Sequence, residues 1–444
     1  MPHHWRSAEN SCDFAHPCRK RLLLQSLAVS ATLDADAANL LGTWAAASRG
    51  AVEDQPIDQL RNSGLINSAV TGDSPRLFDV HDAVVDSAAG PPVPIRVYRP
   101  DAVERPVIVY GHGGGWTLLS IDAADTLCRE LAIGSGCVVV SVGYRLAPEH
   151  PFPAAFDDMW AVTTWAADGG LGWVPARLGV GGDSAGGNLA AALALHARDT
   201  SRITVDLQLL LYPATGLDLD TPSMRELGDD SRFRLSASTM RWFWGNYLEG
   251  DFTIRDQRAV PAAAVSFAGL APAVVVTPAF DPLCDDGRRY AKMLRDAGVA
   301  TDLVEPTTLP HGFAMMLGAV PAARTAYDAI IRKVRSIMHP SASGLASAAA
   351  PRALAAEFRR RPFGTHSADL QTLLHQMRSE PLSDKPFLFI SDTNREWVLG
   401  RYNADTPPVP IVDWSIRFTD LESAEWYVFK DRWRKRFGEE LDDE

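Results

Sequence analysis

Through the middle of the chain, short apolar runs alternate with longer stretches in which apolar positions recur every three or four residues. "PVIVYG", "CVVVSVG", "RLGVGGD", "VDLQLLLY" and "APAVVVT" are strand-length runs with little polar alternation, the pattern of strands buried on both faces. Between and after them, "AFDDMWAVTTWAAD", "NLAAALALHARD", "DDGRRYAKMLRDAG" and "ARTAYDAIIRKVRSIM" have helical spacing. The alternation predicts an α/β fold: a mostly parallel central sheet with helices on both faces. Ahead of it, "RLFDVHDAVVDSAAGPPVPIRVYRP" reads as two strands around a Gly-Pro-Pro turn, and "TDLVEPTTLPHGF" reads as a last strand and loop. Residues 20–75 carry helical patterning around Leu22, Leu23, Leu27, Leu40 and Leu41. "SASTMRWFWGNYLEG" is an aromatic-rich helix inserted between two sheet strands. That insertion is placed to cover the C-terminal edge of the sheet, where open α/β folds bind ligands.

Near residue 340 the pattern changes. "HPSASGLASAAAPRALAA" is rich in small residues and reads as a linker. After it come a helical "SADLQTLLHQMRSE", strand-like "KPFLFISD" and "PVPIVDWSIRF", and a final helix from Asp420 to Gly438. The expected layout is a tail over 1–20, a body over 21–340 with cap segments near 21–75 and 215–255, a linker over 341–352, and a small α+β module over 353–444. The module holds Trp397, Trp414, Trp426 and Trp433. In its last helix Trp426, Phe429, Trp433 and Phe437 oppose Lys430, Arg432, Arg434 and Lys435. This reads as a helix packed on its own domain. A membrane-surface helix is the competing reading, and the acidic end "EELDDE" weighs against it.

Composition narrows the functional classes. Hydrophobic residues make up 46% and charged residues 22%, enough for a sizeable core. The formal net charge of −12 offers no overall basic field, so nucleic acid is not expected as a partner. Five cysteines at 12, 18, 128, 137 and 284 are odd in number and irregular in spacing, which argues against a disulfide framework or a Cys-only metal site. Reduced thiols fit a cytoplasmic location. "RKRLLLQSLAVSATLDADA" faintly resembles a signal peptide, but Gln25 and Ser26 interrupt it, leaving secretion as the competing reading. No uninterrupted apolar run is long enough to span a bilayer, so no integral membrane segment is expected.

The chemistry centres on Ser184, in Gly182-Asp183-Ser184-Ala185-Gly186 between a predicted strand and a predicted helix. A strained turn of this kind exposes a hydroxyl, and glycines let strand and helix approach closely. The helix N-terminus adds N–H groups and positive dipole near any developing anion. A serine hydroxyl needs a base, and the base needs an orienting carboxylate. His311 in "LPHGF" and Asp281 in "PAFDPLCDDG" both follow predicted strands, in the order Ser, acid, His. Asp285 and Asp286 compete for the acid role, but they fall at a helix start where caps are expected. Asp281 is therefore assigned. "HGGGW" follows another strand, and its Gly113 and Gly114 N–H groups, with that of Ala185, are assigned as the oxyanion hole. His112 is read as holding this loop by hydrogen bonds. No Lys-Ser/Thr follows the glycines, which excludes a P-loop.

Taken together, "HGGGW", "YRLAPEHPFPAAFDD", "GDSAGGNLA", "DPLCDDG" and "HGF" resemble the hormone-sensitive-lipase-like (bacterial family IV) esterases of the α/β-hydrolase superfamily over residues 25–338. The resemblance implies a Ser184-His311-Asp281 triad, a helical cap over an acyl pocket, two-step acyl transfer on esters of short-to-medium acyl chain, and neither cofactor nor metal. Asp286 stands where the family usually has Glu, which puts one supporting hydrogen bond in question. Trp116, Tyr212, Trp242, Phe243 and Tyr247 are read as pocket lining, with ordinary core packing the competing reading for each. The expected partner is a small-molecule ester or amide, with a homo-oligomer left open. Amide or carbamate hydrolysis on the same triad is the enzymatic alternative, and a non-catalytic ligand receptor is the alternative from another class.

Overall fold

The chain divides into two compact units, Met1–Met338 and His339–Glu444. The computed structural model describes residues 32–47, 50–63, 67–230, 232–233, 235–340, 350–363, 367, 370, 373–374, 377, 385–390, 396–403 and 409–442. The expectations on the 1–20 tail, on Leu22, Leu23, Leu27, Cys12 and Cys18, and on most of "SADLQTLLHQMRSE" lie outside the described residues.

The first unit opens with α1 (Ala35–Ala47), α2 (Ile57–Arg61) and α3 (Ser68–Thr71). An eight-stranded sheet follows. Its strands are β1 (Asp79–Val85), β2 (Val93–Arg99), β3 (Val107–Gly111), β4 (Val138–Val142), β5 (Leu178–Asp183), β6 (Leu207–Leu211), β7 (Ala273–Val276) and β8 (Thr301–Val304). They lie in the order β1-β2-β4-β3-β5-β6-β7-β8. β1 and β2 pair antiparallel, as do β2 and β4, and the rest of the sheet is parallel. The interleaved helices are α4 (Asp125–Ser135), α5 (Ala154–Ala167), α6 (Ala185–Thr200), α7 (Pro222–Leu227), α8 (Ala237–Tyr247), α9 (Cys284–Asp296) and α10 (Pro321–Met338).

The unbroken apolar runs are explained by two cores, one on each face of the sheet. Alternate strand residues divide between them: Val107, Val109, Val138 and Val140 pack with Leu189 and Leu193 of α6, whereas Ile108, Tyr110 and Val139 pack with Leu131 of α4 and Ile330 of α10. Each strand therefore needs apolar side chains at odd and even positions alike. α7 and α8 fill the insertion between β6 and β7. The Thr239 hydroxyl at the start of α8 donates to Glu53 Oε2 at 2.8 Å, which ties the two segments expected to form a cap.

In the second unit, α11 (Ala350–Arg360) starts inside the stretch expected to be a linker. The run of alanines there favours helix as strongly as it suggests low complexity. Three antiparallel strands follow, β9 (Pro386–Ile390), β10 (Trp397–Tyr402) and β11 (Pro410–Phe418), with β10 in the middle. β10 was not expected from the sequence. A final helix, Leu421–Phe437, is capped by the Asp420 carboxylate, which accepts from the Ser423 N–H, and it stops at Gly438 with φ 69°. Its Trp426, Phe429 and Trp433 join Ala355 and Phe358 of α11 in a separate small core, so this helix does pack within its own unit.

Candidate active site

The turn from β5 into α6 holds Ser184 at φ 54°, ψ −116°, a region that a residue with a side chain enters only when its surroundings force it. The forcing is visible on both sides. The Ser184 N–H donates to the Leu211 carbonyl at 2.8 Å, and a Cβ on Gly186 would stand 1.9 Å from the Gly111 carbonyl oxygen. With glycine there, α6 closes onto the end of β3, and the serine side chain is the part left projecting.

His311 and Asp281 arrive from the loops after β8 and β7. His311 Nε2 lies 3.2 Å from Ser184 Oγ, and its Nδ1 lies 2.8 Å from Asp281 Oδ2. Asp281 is fully buried, and its other oxygen accepts the Leu283 N–H at 2.7 Å. The carboxylate is therefore fixed before it meets the imidazole. The ring of Tyr212 lies 4.7 Å from that of His311 and supports it from the side. The rival carboxylates are engaged elsewhere. Asp285 accepts from the Ser223 N–H and pairs with Arg288. Asp286 is buried and accepts from the Thr215 N–H and hydroxyl, both at 2.7 Å, and from the Gly216 N–H at 3.1 Å. An aspartate at this position thus still accepts three hydrogen bonds from Thr215 and Gly216. Burial nonetheless pushes its carboxyl upward.

The glycine loop after β3 requires one correction. The Gly113 N–H is already committed, because it donates to Asp183 Oδ1 at 3.0 Å. Among the described residues, no acceptor takes the Gly114 or Gly115 N–H, nor the Ala185 N–H at the first position of α6. Gly113, assigned from the sequence, is thus not available as a donor, and Gly115 takes its place among the candidate N–H donors, beside Gly114 and Ala185. His112 does hold the loop: its Nδ1 lies 2.8 Å from the Gly113 carbonyl, its ring stacks on Tyr144 at 4.3 Å, and the Tyr144 hydroxyl donates to its carbonyl at 2.7 Å.

The aromatic residues separate into two groups. Trp116, Tyr212 and Tyr247 are buried to within 1% of their surface, and Trp116 and Tyr247 stack face to face at 4.5 Å. In this structure Trp116 and Tyr247 pack into the core on one face of the sheet and Tyr212 into the core on the other. Phe243 reaches the glycine loop itself, since a Cβ on Gly115 would collide with its ring. Trp242 packs beside it at 5.0 Å and is only partly buried. Among the described residues, no cluster of His, Cys, Asp and Glu is placed to hold a metal ion.

Two buried titratable groups flank the loop with opposite shifts. Burial raises the Asp183 carboxyl to about 6, against the hydrogen bond from Tyr110, the nearby His311 and the bond from Gly113, which all pull it down. Burial lowers the His112 imidazole to about 4, against its bond to Gly113. A raised carboxyl contributes stability fully below its ordinary value of 3.8 and loses it as pH rises through about 6. A lowered imidazole contributes fully above its ordinary value of 6.5 and loses it as pH falls through about 4. Asp183→Asn removes the first slope and keeps an acceptor oxygen. The Tm of the variant minus that of the wild type is expected to rise as pH goes from about 4 to about 6. Thermal unfolding across a pH series measures this, and a flat difference contradicts it.

This geometry has relatives. A family model described as the α/β hydrolase fold matches residues 108–315. Esterase LipI of Mycobacterium tuberculosis (strain ATCC 25618 / H37Rv) is 40% identical over 268 residues, which are 59% of this chain and 82% of that protein. The chain belongs to the hormone-sensitive-lipase-like esterases. This esterase is also 36% identical to an ethyl acetate hydrolase of Pseudomonas putida over 54% of its own length and 77% of the relative's. Among solved structures, it is similar to a hyperthermophilic esterase from the archaeon Pyrobaculum calidifontis, with a TM-score of 0.65 and 37% identity over 69% of this chain and 98% of that one. The C-terminal unit of the esterase has a separate likeness: residues 342–441 match a model described as the N,N-dimethylformamidase alpha subunit. Among the described residues, no helix is long and apolar enough to cross a membrane.

Proposed function

We propose that this esterase cleaves carboxylic esters of short-to-medium acyl chain through an acyl-enzyme on Ser184. The observation that carries the reading is the continuous hydrogen-bonded line from Ser184 Oγ through His311 to Asp281, standing at a positive-φ turn. His311 takes the hydroxyl proton as Ser184 attacks the carbonyl carbon, and then gives it to the departing alcohol. Asp281 fixes the tautomer with Nδ1–H toward itself and stabilises the imidazolium. The oxyanion falls to the N–H groups of Gly114, Gly115 and Ala185. Water, deprotonated by His311, then attacks the acyl carbon; the bond to Ser184 Oγ breaks, His311 returns the proton to that oxygen, and the acid leaves. Phe243, which adjoins the glycine loop from the insertion, and Trp242 beside it bound the acyl site.

A second reading, amide or carbamate hydrolysis on the same triad, is favoured by the C-terminal likeness to a subunit named for an amidase. A p-nitrophenyl ester series from acetate to decanoate, assayed against the matching anilides and N,N-dimethylformamide with the intact chain, separates the two. The expected result is the highest kcat/KM on short esters and little turnover of amides. Amide turnover above ester turnover reverses the reading. Self-association is kept as a proposal for the C-terminal unit, whose Phe389, Ile390, Ile411 and Trp414 are exposed; light scattering of the intact chain decides it. The cytoplasmic assignment is kept as a proposal from cysteine usage: among the described residues, Cys128, Cys137 and Cys284 are buried and in no disulfide.

A further inference from the structure

The glycine loop is held by a residue that no catalytic motif contains. Arg61 ends α2, in the N-terminal segment expected to form part of the cap. Its guanidinium makes four hydrogen bonds. Nε donates to the Thr117 carbonyl at 2.9 Å, and one terminal nitrogen donates to the Ala147 carbonyl at 3.1 Å. Both terminal nitrogens reach Glu149, at 2.8 and 2.9 Å. That bidentate pair holds the Glu149 carboxyl down at about 2. Leu60, the preceding residue, is buried in the main core and anchors the helix from which Arg61 extends.

The two carbonyls matter because of what they are attached to. The Thr117 N–H donates to the Gly114 carbonyl at 3.1 Å, the Leu118 N–H donates to the same carbonyl at 2.8 Å, and the Thr117 hydroxyl donates to the Gly115 carbonyl at 3.0 Å. Residues 114–118 therefore form one hydrogen-bonded turn, and where Thr117 stands, the Gly114 and Gly115 N–H groups stand. The Ala147 N–H donates to the Trp116 carbonyl at 2.8 Å, so the second carbonyl bound by Arg61 belongs to the segment that already braces this turn. At its other end the loop is pinned by Asp183 through the Gly113 N–H. Asp183 belongs to the nucleophile strand, whereas Arg61 comes from outside the sheet. Its planar fork serves two carbonyls and a carboxylate at once, which a lysine ammonium on a flexible stem does not reproduce.

We propose that Arg61 is a positioning residue that sets the aim of the Gly114 and Gly115 N–H groups, and so makes the oxyanion hole depend on the docked α2 segment. The proposal rests on the serine-hydrolase reading above. Donors that drift from the oxyanion by a fraction of an ångström lose transition-state stabilisation while the ester ground state, bound mainly by apolar contact, is little affected.

The test uses the full chain with Arg61→Met, which keeps the apolar stem, and Arg61→Lys. Active sites are first counted by stoichiometric labelling with a p-nitrophenyl phosphonate. Labelling of the wild type and not of Ser184→Ala supports the underlying reading by itself, and its failure sinks that reading whatever Arg61 does. Per labelled site, Arg61→Met is expected to lower kcat on p-nitrophenyl acetate by about tenfold to a hundredfold, with KM changed less than about twofold. Affinity for a trifluoromethyl ketone, which forms an oxyanion on Ser184, is expected to fall in parallel with kcat/KM, and Arg61→Lys to recover only part of the loss. A variant with lowered Tm but wild-type kcat and ketone affinity per labelled site overturns the proposal, because Arg61 is then a structural tie alone. A KM rise at constant kcat overturns it equally.

Discussion

Replacing Ser184 by alanine is expected to lower kcat on short p-nitrophenyl esters by on the order of 10⁶-fold, to the residual rate that the oxyanion donors and binding alone sustain. The size of the loss follows from the site. Among the described residues, the hydroxyl is the group bonded to His311 Nε2, at 3.2 Å, and its removal leaves the imidazole with no attacking side-chain atom to deprotonate. Folding is not expected to suffer, because alanine keeps the Cβ and the backbone bonds to Leu211 and Asn188 that hold the turn. Steady-state kinetics with a thermal unfolding control measures both. Ser184→Ala/His311→Ala is expected to be no slower than Ser184→Ala, since residues that act as one unit lose their contribution together. A single variant with wild-type turnover would end the acyl-enzyme mechanism. Losses in the double variant that multiply would indicate two independent roles.

Ser184, Asp281 and His311 were legible in the sequence because each follows a strand, Ser184 directly and the other two in the loops after β7 and β8. Their order along the chain carries the information that distance does not: His311 lies 127 residues from Ser184 and 30 from Asp281. The glycine loop was legible only as a loop. Three consecutive glycines are interchangeable in sequence, and which N–H is free is decided by Asp183, whose carboxylate takes that of Gly113 from 70 residues away. The aromatic residues are ambiguous in sequence for a related reason. A tryptophan beside a catalytic loop has the same sequence signature whether it faces substrate or, like Trp116, is stacked on Tyr247 and packed at a tilt against Trp244. β10 was hidden by its own composition. Gly400 breaks the run, and the reason for a glycine there is the ring of Phe387 on the neighbouring strand, which lies where a Cβ would stand. Arg61 has no local signal at all, because its partners Thr117, Ala147 and Glu149 are 56 to 88 residues away.

The second large effect is structural, and it shows how tightly fold and site are joined. Gly186→Ala adds a single methyl group inside α6, where alanine is intrinsically the better helix former by about 1 kcal/mol. Propensity therefore predicts a gain. Packing predicts the reverse, because the new Cβ would lie 1.9 Å from the Gly111 carbonyl oxygen and 2.7 Å from that of His112. These are backbone atoms of β3 and of the entry to the glycine loop, with no rotamer by which to retreat. Either α6 backs away from the sheet or the end of β3 is displaced. The expected cost is roughly 3 kcal/mol or more, a fall in Tm on the order of 10 °C. The activity of the folded remainder is expected to fall as well, because α6 carries the Ala185 N–H and β3 leads into Gly114 and Gly115. Gly245→Ala in α8 is the matched control: it lies in a helix, and the nearest neighbour of its Cβ would be 4.0 Å away, so propensity acts alone and Tm is expected to hold or rise. If both variants unfold at the same temperature, the approach of α6 to β3 yields without cost, and the strain at Ser184 must be sustained by the hydrogen bond to Leu211 and not by the glycines that flank the serine.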